Sequence, residues 1–303
     1  MQDTTHKVAK RHAAFIGWVV VSGLLFSKML AGVVAYALEN DSSSHILIVP
    51  FMSLYIFLLE GRRIFSVVGS SVGWGTATTS VGAVLWIVSK NLPWLTANEF
   101  LSAAMFSLVL IWIGGFLLCY GLVAFQSGIF PVLLLLLMVP LPDPLLDRTI
   151  YLLQQGSTWI TYGLFKMVGV PVLRQGFLLS VPGVTIEVAK ECSSIRSSIA
   201  LFITCLVAAH FYLRSWWKTL LFVMLSLPLA VVKNGIRIAT LTLLSIYVDP
   251  SFLKGNLHRE GGFVFFVMAL LIMWPVLELL HRSERRQVSS SREMQSIVET
   301  GAA

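Results

Sequence analysis

The sequence predicts an all-α integral membrane protein, built as a bundle of about eight transmembrane helices. Three observations support this fold class: the composition, the long apolar runs and the placement of the basic residues. Of the 303 residues, 56% are hydrophobic and 12% are charged, whereas a soluble domain contains about 25% charged residues. The mean hydropathy of +0.82 agrees with a chain that spends most of its length in a bilayer.

Composition and motifs also exclude several function classes. The net charge of +7 would fit nucleic-acid binding, but membrane topology explains it better because Lys and Arg gather in cytoplasmic loops. We therefore predict no nucleic-acid partner. The sequence lacks the Rossmann glycine fingerprint, the P-loop and the HExxH zinc motif, so neither a cofactor nor a metal is indicated.

Eight apolar runs are candidates for membrane spans. The fifth run is short and ends at prolines, and the seventh is long and interrupted by "VVKNGIRIAT". We expect a single transmembrane domain at 13–281, a cytoplasmic N-terminus at 1–12, and a polar, disordered cytoplasmic tail at 282–303. The predicted spans are 13–38, 46–59, 64–88, 100–125, 129–139, 194–213, 219–248 and 262–280.

The basic residues orient the bundle. With eight spans, four basic clusters fall on one side, which we predict to be cytoplasmic together with both termini. A cleaved signal peptide at the first span is the alternative, since Ala35, Tyr36 and Ala37 imitate a cleavage site. That run is longer than a usual signal core, and its loss would spoil the charge pattern. The clusters are Lys7, Lys10 and Arg11; Arg62 and Arg63; Arg214 and Lys218; and Arg282, Arg285 and Arg286.

The segment 140–191 is the largest piece on the opposite, outer side. Its stretch "TIYLLQQGSTWITYGLFKMV" has apolar and polar residues at near-helical spacing. That spacing predicts an amphipathic helix on the membrane surface, or alternatively a helix packed on the other spans. The following stretch "GVPVLRQGFLLSVPGVTIEVAKE" predicts a short strand or hairpin that leads into Cys192.

Cys192 differs from the other two cysteines. Cys119 and Cys205 lie inside apolar runs, where a cysteine acts as a small hydrophobe. Cys192 stands at a polar boundary, just before the sixth span, where Ser193 or Ser194 can cap the helix that follows. The helix dipole, together with Arg196 one turn further on, favours the reactive thiolate form of Cys192.

Arg237 and His258 complete a candidate site at the outer face. Arg237 interrupts an apolar run beside Asn234, and an arginine within a span is a functional candidate by default. Counted along a helix from Thr219, it lies about 27 Å across a core of about 30 Å. His258 lies in the outer loop before the eighth span. A cysteine with a histidine is a nucleophile with its proton partner, and an arginine can stabilise an oxyanion.

Three motifs in this order, "ECSSIRSS", "KNGIRIATL" and "LHREGGFVFF", resemble those of the exosortase/archaeosortase family of membrane-embedded cysteine transpeptidases. The stretches "SSSHILIVPFMSLYIF", "FPVLLLLLMVPLPDPLLD", "LLQQGST" and "GVPVLRQG" extend the resemblance over about residues 41–266. The family's Cys, Arg and third His or Arg fall on Cys192, Arg237 and His258, and the histidine indicates the bacterial exosortase branch. Arg196 matches the arginine of the family's Cys-Ser-Gly-x-Arg pattern, in which Ser194 here replaces the glycine.

The resemblance implies an activity and a location. The substrates would be secreted proteins with a C-terminal sorting signal, made of a Pro-Glu-Pro-like motif, a transmembrane helix and a basic cluster. Cleavage would occur at the outer, periplasmic face of the bacterial inner membrane, followed by transfer to an unknown envelope acceptor. Cys192 would be the nucleophile, with His258 and Arg237 as the other catalytic residues. Residues expected to bind substrate or support the site are Arg196, Asn234, Ser193 and Glu260.

Other classes of function remain open from the residues alone. A transporter of an anion or polymer would use Arg237 and Lys233 at a broken seventh helix, although no inverted repeat is visible. A membrane acyltransferase with a cysteine nucleophile would share the physics of the site. An assembly factor for envelope polysaccharide would need no catalysis. A Cys192→Ala variant with full function would favour the transporter.

Overall fold

The structure is a computed structural model that describes residues 2–189, 195–249, 251 and 262–301, with 2–7, 41 and 287–301 described by backbone alone. It is 82% helical, which confirms the all-α membrane class. The chain divides into two compact units, Met1–Asp147 and Arg148–Ala303.

The first unit contains the N-terminal helices, several of them joined by short breaks. The predicted first span is divided at Phe26 into two helices. The predicted start of the third span at 64 is wrong, because a loop occupies 65–71 and the helix begins at Val72. The elements are α1 Gln2–Leu25, α2 Ser27–Glu39, a 3₁₀ helix Asp41–Leu47, α3 Val49–Ile64, α4 Val72–Lys90, α5 Ala97–Ser127, α6 Ile129–Leu134 and a 3₁₀ helix Leu135–Met138.

The second unit contains a small sheet and the remaining long helices. The strands form an antiparallel sheet in the order β1-β2-β3, which confirms the strand or hairpin predicted ahead of Cys192 and adds a strand to it. The elements are α7 Asp143–Met167, whose first residues belong to the first unit, β1 Leu173–Gln175, β2 Leu178–Val181, β3 Val184–Glu187, α8 Ile195–Tyr212, α9 Trp216–Tyr247 and α10 Gly262–Gly301.

The number of spans agrees with the prediction if one bent pair is counted. Within the described residues, seven helices are long and apolar enough to cross a bilayer. The predicted fifth span, Ile129–Met138, meets Asp143–Met167 at 92°, and this pair would form an eighth, broken span. Ten residues rise too little along a helix to cross the hydrocarbon core unaided, so the fifth run cannot be a complete span.

Helix α5 is kinked near its C-terminal end, although the sequence predicts an uninterrupted span at 100–125. Gly121 has φ of 82°, which interrupts the helix and favours glycine. The loop before α4 binds to this break: Gly69 donates its N–H to the carbonyl oxygen of Tyr120 at 2.9 Å. The Ser71 hydroxyl accepts the N–H of Leu122 at 2.8 Å. The kink is therefore stabilised by partners outside α5.

Helices α4 and α5 pack closely because small residues line their interface, as is common in membrane bundles. A Cβ on Gly82 would lie 2.8 Å from the carbonyl oxygen of Ser107, whose buried hydroxyl donates to the carbonyl oxygen of Gly82 at 2.7 Å. A Cβ on Gly114 would meet Thr79 Oγ1 and would lie 2.8 Å from the carbonyl oxygen of Gly75. The two helices can approach this closely only while these positions lack side chains.

Replacing Gly114 by alanine is expected to destabilise the protein by about 1–3 kcal/mol, because the added methyl group overpacks the α4–α5 contact. The matched control is Gly17→Ala in α1, where a Cβ would have no neighbour within 4 Å. There, alanine should stabilise the helix by about 0.5–1 kcal/mol. Thermal unfolding of the detergent-solubilised protein measures both changes. Equal melting temperatures for the two variants would contradict the packing argument.

The core of the second unit lies among α8, α9 and α10. Cys205 is buried in it, next to Leu201 and Ala209 of α8, and it packs with Phe222 of α9 and Met273 of α10 in one apolar cluster. Its environment confirms the prediction that this cysteine is a small hydrophobe.

Hydrogen bonds hold the connection between α8 and α9 to α10. Glu284 of α10 accepts the backbone N–H of Arg214 at 2.9 Å and of Ser215 at 3.0 Å. Lys218 also donates to the Ser283 hydroxyl at 2.8 Å. Ser215 directly precedes α9, so the carboxylate lies at the positive end of that helix.

Helix α10 extends into the region predicted to be a disordered tail. The sequence predicts disorder from residue 282, whereas the helix continues to Gly301. The stretch "HRSERRQVSSSREMQSIVET" contains neither Gly nor Pro, and its Glu, Arg, Gln and Met residues have good helix propensity.

Candidate active site

One face of α7 carries buried polar side chains. Gln154, Ser157, Thr158 and Thr161 are all buried, and their spacing of three, four and seven residues places them on one side of a helix. Apolar residues of the same helix, among them Trp159, are exposed. Helix α7 is thus amphipathic, as predicted, with its polar side turned towards protein.

Helix α9 packs against this polar face at short distance. A Cβ on Gly156 of α7 would lie 2.6 Å from Val231 Cγ1, and a Cβ on Gly235 of α9 would lie 2.5 Å from Ile160 Cγ2. Glycine at each position allows the backbones to approach. Thr161 Oγ1 donates to the carbonyl oxygen of Gly235 at 3.2 Å. The glycine beside Arg237 therefore serves helix packing.

The predicted interruption of the seventh span is wrong. Helix α9 is continuous from Trp216 to Tyr247 and contains Pro228. The residues taken as a break, Lys233, Asn234 and Gly235, are all buried within the helix. The side chains of Lys233 and Asn234 bind to neighbouring helices, and the helix continues through these positions.

Asn234 and Lys233 are held by hydrogen bonds to two different helices. Asn234 Nδ2 donates to the Ser157 hydroxyl of α7 at 2.9 Å. Lys233 is 1% exposed, and its Nζ donates to the Ser197 hydroxyl of α8 at 2.6 Å. Neighbouring positions on α9 thus link α7 on one side and the first described turn of α8 on the other.

Arg237 lies one helical turn after Lys233. Its side chain is partly exposed, its Nε is buried, and its charge acts on Lys233. Because α9 is a continuous helix from Thr219 to Arg237, the predicted distance of about 27 Å along the helix axis holds. Lys233 and Arg237 thus place two cations one turn apart in an otherwise apolar helix.

The structure brings some of the predicted site residues together and does not describe the others. Arg237 and Asn234 lie on the same part of α9. Arg196 is exposed in the first described turn of α8, next to the Ser197 that binds Lys233. Four predicted residues lie outside the described residues: Cys192, Ser193, His258 and Glu260.

Sequence reasoning missed two parts of this arrangement. The first is the buried polar row of α7. Its helical spacing is visible in the sequence and could have revealed it: Gln154, Ser157, Thr158 and Thr161. The hydrogen bond from Lys233 to Ser197 joins residues 36 positions apart, which no local pattern reveals. Among the described residues, no group of three or more His, Cys, Asp or Glu side chains could hold a metal ion.

These features define a multi-pass membrane protein with polar and cationic side chains buried between transmembrane helices. The model of the transmembrane exosortase family matches residues 37–275, which is most of the chain, and the protein belongs to this family. Membership gives it a membrane transpeptidase-type role, in general that of a cysteine transpeptidase acting on sorting-signal proteins. No curated protein and no solved structure matches the chain.

Proposed function

We propose that the protein is a cysteine peptidase and transpeptidase that cleaves C-terminal sorting signals of exported proteins. The signals have a Pro-Glu-Pro-like motif, a transmembrane helix and a basic cluster. The observation that carries the proposal is the family match at 37–275, because it includes the segments of Cys192, Arg237 and His258. The new carboxyl end is passed to an acceptor in the cell envelope.

The proposed reaction has two steps. The Cys192 thiolate attacks the scissile carbonyl carbon, and the C–N bond breaks as His258 protonates the leaving amine. A thioester then joins Cys192 to the substrate. His258 next takes a proton from the acceptor nucleophile, which attacks the thioester; the C–S bond breaks and Cys192 is released as the thiolate. Arg237 stabilises the oxyanion in both tetrahedral intermediates.

The location we propose is the outer, periplasmic face of the bacterial inner membrane, with both termini in the cytoplasm. The basic clusters support this orientation, provided that the bent pair of Ile129–Met138 and Asp143–Met167 counts as a span. An even number of spans then returns the chain to its starting side. In this orientation Arg237 lies in the part of α9 that crosses the outer leaflet, on the side from which a substrate helix emerges.

The transporter alternative loses its main structural support. It required a broken seventh helix whose ends would bind an anion, and α9 is continuous through Lys233 and Arg237. The buried polar residues of this region bind to other helices, as the hydrogen bonds of Asn234 and Lys233 show.

The test is co-expression with reporters that carry C-terminal tripartite signals from the same genome. We expect the wild-type protein to shorten at least one reporter on a blot, and Cys192→Ala to abolish that shortening, because the nucleophile is lost. Cys119→Ala and Cys205→Ala are matched controls that should retain full processing. Equal processing by wild type and Cys192→Ala would refute the proposal and favour a role without catalysis.

A further inference from the structure

Lys233 is a buried cation within a membrane helix, and no carboxylate among the described residues is paired with it. It is 1% exposed within a membrane helix. Among the described residues, its Nζ binds the neutral hydroxyl of Ser197, and the charge acting on it is the like charge of Arg237. A lysine inside a span is unfavourable, by about 2.5–3.5 kcal/mol at the centre of the span and by less towards its ends. One hydrogen bond to a hydroxyl contributes about 1.5–3 kcal/mol and offsets much of this cost.

Stability alone does not account for a lysine at this position. A hydrophobic side chain of similar length would fill the same space without a desolvation penalty, and replacing buried charges by apolar residues is often neutral or stabilising. The repulsion from Arg237 adds to the penalty. A charge kept under these conditions points to a role in function.

The contact of Lys233 places that role at the start of α8. Ser197 lies in the first described turn of α8, directly after Arg196 and five positions after Cys192 in the sequence. Lys233 therefore connects the helix that follows the proposed nucleophile to the α9 turn that carries Arg237. On its other side, α9 is fixed to α7 through Asn234 and Ser157.

We propose that Lys233 is a positioning residue for the transpeptidase reaction. Its hydrogen bond to Ser197 fixes the first described turn of α8 relative to Arg237. Its charge adds to the positive electrostatic field at the N-terminal end of α8. This inference rests on the proposed function, since it assigns to Lys233 the alignment of Cys192 with Arg237. The lysine acts through these two residues and has no contact of its own with the substrate.

The test compares Lys233→Met, Lys233→Arg and Ser197→Ala with the control Lys166→Met, which removes an exposed lysine from α7. Lys233→Met should lower kcat by at least about tenfold, leave KM within about twofold, and unfold no more easily than wild type. Lys233→Arg should recover most of kcat because it keeps a cationic donor. Adding Ser197→Ala to Lys233→Met should lower kcat by much less than Ser197→Ala lowers it in the wild type, since the contact between Lys233 and Ser197 is already lost.

A second readout separates this inference from the proposed function. In a Cys119→Ala, Cys205→Ala background, Cys192 is the single thiol of the chain, and its alkylation by iodoacetamide at neutral pH can be followed without any substrate. Lys233→Met should slow alkylation by about tenfold, which corresponds to one pKa unit of the thiol. Unchanged kcat and alkylation in Lys233→Met would overturn the positioning role, whatever Cys192→Ala does to processing.

Discussion

Replacing Arg237 by glutamine is expected to reduce sorting-signal processing by about 100- to 1,000-fold, the usual effect of removing one oxyanion donor. In the proposed mechanism Arg237 is the oxyanion donor; it lies on the continuous helix α9, and its Nε is buried. Lysine at this position keeps the charge but loses the planar set of donors. Arg237→Lys should therefore retain an intermediate rate.

The matched control is Arg148→Gln on α7. Arg148 is exposed, and its guanidinium lies over the Tyr151 ring at 5.7 Å from the centroid, so its loss should leave processing within about twofold of wild type. Rates are compared at equal amounts of folded enzyme with one reporter. An Arg237→Gln enzyme that works within a few fold of wild type would remove Arg237 from the catalytic set.

Replacing Gly235 by alanine is expected to lower the free energy of unfolding by about 1–3 kcal/mol. It should also lower the rate of sorting-signal processing by more than about tenfold. The new Cβ would lie 2.6 Å from Ile160 Cβ and 3.3 Å from the carbonyl oxygen of Ser157. A Cβ cannot rotate away, so α7 and α9 must separate. That movement would weaken the bond between Asn234 and Ser157 and shift Arg237, two residues along α9.

A double mutant tests this explanation directly. Gly163→Ala in α7 is the control for helix propensity, because a Cβ there has no neighbour within 4 Å. Gly235→Ala combined with Ile160→Gly transfers the glycine from one helix to the other. It should restore processing while retaining a penalty of about 1 kcal/mol for glycine in a helix. Failure of the double mutant to recover any activity would contradict the steric argument.

The sequence predicts the positions of most helices because their apolar runs match the thickness of a bilayer. It fails where a break depends on partners elsewhere. Gly121 bends α5 because Gly69 and Ser71 supply hydrogen bonds from another segment. Conversely, Lys233, Asn234 and Gly235 suggested a break in α9, but side-chain partners on α7 and α8 keep the helix intact. In both cases tertiary contacts override local residue preferences.

The same limit applies to the candidate site. Arg237 and Asn234 are conspicuous as polar residues in an apolar run, and they were found for that reason. The role of Lys233 depends on Ser197, which lies on another helix. For α7 the sequence predicts either a helix on the membrane surface or a helix packed on the other spans, because periodicity indicates that a helix has two faces but does not indicate which one meets protein.

The clamp made by Glu284 sets a limit on how far the chain can be shortened. This carboxylate satisfies the backbone N–H groups of Arg214 and Ser215, and its neighbour Ser283 accepts a hydrogen bond from Lys218. A truncation after residue 286 keeps every one of these contacts, whereas one that ends before Ser283 leaves the start of α9 without them. For expression and purification, affinity tags and fusion partners therefore belong beyond residue 286.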